Sequence, residues 1–138
     1  MPEARTHGYN VFVSHGSDDL WVAAQISKEL RYLDVSPFLD QTDIPLGTPD
    51  FQKVIHDNIL SAHELIALFT PWSKMRSWVW IEIGAAWGRS IPILAVFYGM
   101  NLEDLDTSGQ GRAVLEHTNN IQIDDFENYL FQLKERLP

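Results

Sequence analysis

Trp78 and Glu82 stand four residues apart in the run Ser77-Trp78-Val79-Trp80-Ile81-Glu82-Ile83-Gly84-Ala85-Ala86-Trp87-Gly88. On a helix that spacing brings an indole and a carboxylate to one face. A flat aromatic wall beside a glutamate suits chemistry in which a sugar or base is held and a developing positive charge is steadied. The residues around Glu82 are unusually apolar for an acid, so burial there makes its choice of partner matter. Taken alone, the segment favours a plainer reading, an amphipathic helix with core tryptophans and a solvated glutamate. The rest of the chain reverses that preference.

The elements that must hold this pair alternate in type. Residues 9–14 form a short run rich in β-branched and aromatic side chains, which predicts a buried strand. Ser17 is the expected N-cap of the first helix, with Asp18 and Asp19 set against its dipole in the first turn. Leu20, Ala23, Ala24, Ser27, Leu30 and Leu33 then recur at helical spacing. A second strand is expected over 35–39, with Pro37 near its start. The Pro-, Gly- and Asp-rich stretch from Asp40 to Asp50 reads as a structured loop, in which Thr48 and Pro49 cap and open a helix over 49–61. Residues 65–69 predict a fully buried strand, the Trp78/Glu82 helix stops near 88, and a fourth strand follows over 92–97. A short helical stretch near 112–116, an edge strand over 121–123 and a closing helix over 126–137 complete the pattern.

Strand and helix thus alternate five times, and several strands are apolar throughout. That predicts an α/β fold, a flavodoxin-like doubly wound five-stranded parallel sheet with helices on both faces. Ligands of such folds sit beyond the carboxyl ends of the strands. Ser14-His15-Gly16, the loop from Asp40 to Gly47 and the segment from Thr70 to Trp78 all leave strand ends on that rim, so three loops are expected to converge near Glu82.

Bulk properties narrow the function. The 138 residues suit one domain, with 1–7 read as a tail and 8–138 as the folded unit. Acidic residues outnumber basic ones by 19 to 10, which argues against a general nucleic-acid binder. Lys74, Arg76 and Arg89 flank the Trp/Glu segment and leave room for a local positive spot facing a phosphate-bearing ligand. Without cysteine there is no disulfide, thiol chemistry or zinc-thiolate site, and the five histidines lack paired ligand spacing, so no metal is expected. The polar start carries no signal-peptide core, and the most apolar run is too short to cross a bilayer. A soluble cytoplasmic protein with no membrane partner is the expectation. The turn after the first strand is neither a dinucleotide fingerprint nor a P-loop, and the acids and lysine of a phospho-receiver are missing from their places.

Taken in order, four segments resemble a Toll/interleukin-1 receptor (TIR) domain over about residues 8 to 137. Tyr9 to His15 match the family's opening box, Phe38-Leu39-Asp40 through Ile44, Gly47 and Phe51 match its BB loop, Trp78-x-x-x-Glu82 matches the motif of members that cleave NAD, and the closing Phe126 helix matches the last box. The resemblance implies an NAD+ nucleosidase of the prokaryotic type, a hydrolase or cyclase that releases nicotinamide and ADP-ribose or a cyclic isomer, in antiphage immune signalling. NAD+ would be substrate, with no further cofactor. Glu82 would be the catalytic carboxylate, steadying an oxocarbenium-like ribose, and Trp78 the pocket wall.

Ser14, His15, Gly16 and Asp40 would be the other substrate-binding positions. Each has a plainer alternative: Ser14 ties off its strand, His15 is an ordinary loop histidine, Gly16 serves the turn alone, and Asp40 caps a turn. Trp80 and Trp87 are expected in the core or at an interface. Pro45 stands where some NAD-cleaving relatives carry an acid, which gives Ile44, Pro45, Leu46 and Gly47 a mainly assembly role through TIR–TIR contacts. A separately encoded sensor or effector is the other implied partner. The rival class is a non-enzymatic adaptor acting by assembly alone, and a nucleoside deoxyribosyltransferase is a minor enzymatic alternative.

Overall fold

The computed structural model describes residues 8–39, 46–47, 49–73, 77–105, 111–116 and 118–138. Five strands, β1 (Asn10–Ser14), β2 (Ser36–Phe38), β3 (Glu64–Phe69), β4 (Ile93–Phe97) and β5 (Asn119–Gln122), form one sheet in the order β2-β1-β3-β4-β5. All four pairings are parallel. The helices are α1 (Leu20–Arg31), α2 (Phe51–Leu60), α3 (Ser77–Gly88), α4 (Gly111–Leu115) and α5 (Phe126–Arg136). This is the expected doubly wound arrangement, and its order reverses direction between β1 and β3.

The unbroken apolar runs of β3 and β4 follow from a two-sided core. Successive strand side chains point to opposite faces. Leu65, Ala67 and Phe69 pack with Ile55, Val79 and Ile83 of α2 and α3. Ile66 and Leu68 pack the other way, with Ala23, Ile26, Leu30 and Leu133 of α1 and α5. Neither face of β3 meets water, so residues 65–69 are apolar on both sides. β2 is an edge strand with Pro37 opposite Val11, a place where a missing N–H is tolerated.

Three local expectations are corrected. Ser17 does not cap α1: it begins a 3-10 turn over Ser17–Asp19, with Gly16 at the cap position and no side-chain cap. α2 starts at Phe51 behind a left-handed Asp50 (φ 57°) without a side-chain cap, so Pro49 precedes the helix; Thr48 lies outside the described residues. β5 begins two residues earlier than its apolar pair suggested, because Asn119 and Asn120 take the register places opposite Leu94 and Ala95 on an exposed edge, while Ile123 turns into a 3-10 segment.

α1 and α3 end in the same way. Val35 N donates to Leu30 O and Asp34 N to Arg31 O; Ile91 N donates to Ala86 O and Ser90 N to Trp87 O. Asp34 and Ser90 both sit at φ 60°. These paired bonds around a left-handed residue form Schellman motifs, which satisfy the last carbonyls and turn the chain sharply back toward the sheet.

Candidate functional site

Val79, Glu82, Ile83 and Ala86 form the buried stripe of α3, at the i, i+3, i+4, i+7 spacing of one helix face. Glu82 is therefore carried inward with the apolar residues and is only 1% exposed. A carboxylate placed there needs a hydrogen-bond partner. It finds one at the carboxyl end of β1, where the Ser14 hydroxyl donates to Glu82 Oε1. Ser14 is itself buried and sits in register with Ala67 of β3. The pair thus lies where the strand order reverses, the crevice in which open α/β sheets bind ligands.

The turn after Ser14 is also buried and polar. His15 is buried, and its Nδ1 lies 2.8 Å from Gly16 O. Gly16 is extended (φ −73°, ψ 162°), a conformation open to any residue, so the turn geometry does not demand glycine. Trp78 stands one turn before Glu82 but is 47% exposed. The two share a helix side without sharing burial: the carboxylate is sunk in the protein and the indole faces outward. Trp80 is partly buried against Phe69, centroids 5.3 Å apart, whereas Trp87 is exposed.

Residues within these segments that were not singled out as site residues complete the rim. Thr70, just beyond β3, donates through Oγ1 to Asp19 Oδ1, and both are buried. Asp19 is thus a bridge between the β1 and β3 loops and not a solvated first-turn acid; only Asp18 is exposed. Ser73 is 3% exposed, and its hydroxyl has no hydrogen-bond partner among the described residues. Trp72 is half-exposed and meets Tyr98 edge-on at 5.2 Å. Gly99 follows at φ 80°, a left-handed backbone that residues with a side chain rarely adopt. The signals existed in the sequence as Asp19, Thr70 and Ser73 beside strand ends, but nothing local distinguished them from turn formers.

Other expectations are separated from the site. Arg89 donates to Ile59 O at 3.0 Å and so satisfies the carboxyl end of α2, away from any phosphate role near Ser14. Lys74, Arg76, Asp40, Ile44 and Pro45 lie outside the described residues. Leu46 is fully exposed, and Gly47 adopts φ 82° beside it. No group of three or more potential ligands could hold a metal among the described residues. No described helix is long and apolar enough to cross a membrane.

A third buried carboxylate occupies the opposite pole. Glu64, at the amino end of β3, accepts from the Tyr9 hydroxyl, from Tyr129 Oη at 2.8 Å and from Arg136 Nη2 at 2.7 Å. Both of its oxygens are engaged, which makes it a structural node. Burial first, then the Glu64 hydrogen bond and charge, push the Tyr9 hydroxyl up to about 12. Burial also raises Tyr129, and the Glu64 charge adds to it.

The profile of a family described as TIR domain matches residues 11–132. Among solved structures, the 2-desoxiribosyltransferase from Leishmania mexicana superposes with a TM-score of 0.63 at 15% identity, over 93% of this chain and 98% of that one. A likeness at that identity speaks for the fold. No curated protein matches the chain.

Proposed function

The chain belongs to the TIR domain family, and on that footing we propose that it is an NAD+ nucleosidase that cleaves the nicotinamide–ribose bond. The observation that carries this reading is the buried Ser14–Glu82 pair at the strand-order reversal. In the reaction the C1′–N bond breaks with its electron pair on the pyridine nitrogen, so nicotinamide leaves neutral and needs no acid. The ribose left behind has oxocarbenium character. A fixed carboxylate in a water-poor setting stabilises that charge far more than one free in solution. Ser14, by donating to Oε1, holds the carboxylate in one orientation. Water then adds to C1′ and gives up a proton, yielding ADP-ribose; attack by a group of the same molecule yields a cyclic isomer.

Trp78, exposed beside this point, is read as the wall against which the substrate lies, and His15 and Gly16 as the edge that approaches ribose or phosphate. Infection-triggered signalling in a prokaryote, with a separately encoded sensor, is the setting we assign. A second reading, assembly without catalysis, is favoured by one observation, the fully exposed Leu46. Incubation with NAD+ decides between them. Nicotinamide release that Glu82→Gln cuts roughly a hundred-fold or more supports the enzyme. Silence from a demonstrably assembled sample supports the adaptor.

A further inference from the structure

On the sheet face opposite α3, α1 and α5 enclose a cleft of about 440 Å³. Its floor and walls are mainly apolar: Val22, Ile26, Ile123, Phe126 and Leu130 line it. Trp21 and Tyr98 line it as well, and Trp21 is 73% exposed. Tyr98 continues the aromatic surface to Trp72, its edge-on partner. Tryptophan and tyrosine are the side chains that most often carry binding energy at protein interfaces. An exposed contiguous aromatic surface of this kind marks a contact site more than a solvated face.

Gln25 is the neutral polar residue of the cleft, and its charged residues are all of one sign. Glu29, Asp124 and Glu127 line it, and no lysine or arginine does. A second copy of this chain, with net charge −9, would bring acid against acid unless a basic patch faced the cleft. We infer that the α1–α5 cleft docks a cationic amphipathic helical segment of a partner protein. Two helices with a groove between them accept a third by its apolar stripe. Lysines or arginines flanking that stripe would meet the three carboxylates, and one of them could lie over the Trp21 indole. The volume fits a few side chains from one helix and not a folded domain. This inference is independent of the NAD+ reading.

The test uses the full chain and a labelled synthetic helix with leucines at i, i+3, i+4, i+7 spacing and lysines on the remaining positions, followed by fluorescence anisotropy at physiological salt. One-to-one binding is expected. Trp21→Ala should weaken it about ten-fold or more, as for an interface anchor. Glu29→Gln with Glu127→Gln should weaken it similarly. Glu103→Gln with Glu135→Gln removes the same charge from exposed positions elsewhere and should change affinity less than two-fold. Thermal melts check that each variant folds. Equal weakening by both double variants would mean bulk charge attraction and overturn the proposal. So would equal binding of a leucine/glutamate helix. Concentration-dependent dimers of the free chain that Trp21→Ala dissolves would also overturn it, giving the cleft to a second copy.

Discussion

The Ser14 hydroxyl reaches Glu82 Oε1 across 68 positions of sequence, joining the end of β1 to the buried stripe of α3. The contact exists because α3 lies on the sheet with its fourth-residue stripe inward. It fixes a carboxylate that would otherwise have several rotamers. Ser14→Ala should therefore lower kcat about ten-fold, the scale of a hydrogen bond to a charged group, with little change in KM. In a double-mutant cycle with Glu82→Gln the two losses should not add, since they act through one group. Strict additivity of the two would show that Ser14 serves only its strand end.

Trp78 is half out of the protein, so truncating it removes less core than a buried tryptophan would. We expect Trp78→Ala to cost under about 1.5 kcal/mol of stability while reducing NAD+ turnover several-fold through a raised KM. Trp78→Phe should recover part of the affinity. Urea melts and steady-state kinetics on the same samples check this; loss of stability and activity in equal step assigns the indole to packing.

Leu46 has no core to fill, since it is fully exposed beside the turn at Gly47. If the loop mediates self-association, specific activity should rise with protein concentration over a hundred-fold range. Leu46→Asp should flatten that rise without moving the melting temperature. Constant specific activity in a protein that sizes as a monomer removes the assembly role and leaves Glu82 untouched.

The Glu64 node predicts an alkaline weakness. Tyr9 is raised from about 10 in the unfolded chain to about 12 in the fold, mainly by burial and then by Glu64. The folded state therefore holds that proton more tightly. The resulting stabilisation is complete below pH 10 and is lost as pH climbs toward 12. Tyr9 is only partly buried, so we discount the effect to about 1 kcal/mol. Tyr9→Phe should lower the urea midpoint at pH 8, and its gap from the parent should narrow as pH rises from 10 toward 12. An unchanged gap would falsify the assignment.

Much of the fold was legible because a parallel sheet covered on both faces leaves apolar runs that a helix-and-turn pattern cannot imitate. Glu82 stood out because Trp78 lies one helical turn before it among apolar residues; the structure adds that Val79, Ile83 and Ala86 share its phase and carry it inward. What stayed hidden depended on distance in sequence. Asp19 looks like a dipole-facing acid until Thr70, 51 positions on, donates to it. Glu64 sits at the very start of a strand whose apolar run begins at Leu65, and its three donors come from two distant segments of the chain. The polar opening of β5 was missed because an edge strand tolerates asparagines that pattern reading assigns to a loop. Asp40 and the tip residues Ile44 and Pro45 lie outside the described residues, so the loop's part in the site rests on the mutational tests.

Tyr9 stands near the beginning of the folded chain and Arg136 near its end, and both are held by the same oxygen of Glu64. The polypeptide is thus close to a closed ring, fastened at the amino pole of the sheet. A short bridge could join residue 8 to residue 138 and new ends could be opened at an exposed turn, giving a circular permutant of the described fold with the same sheet order.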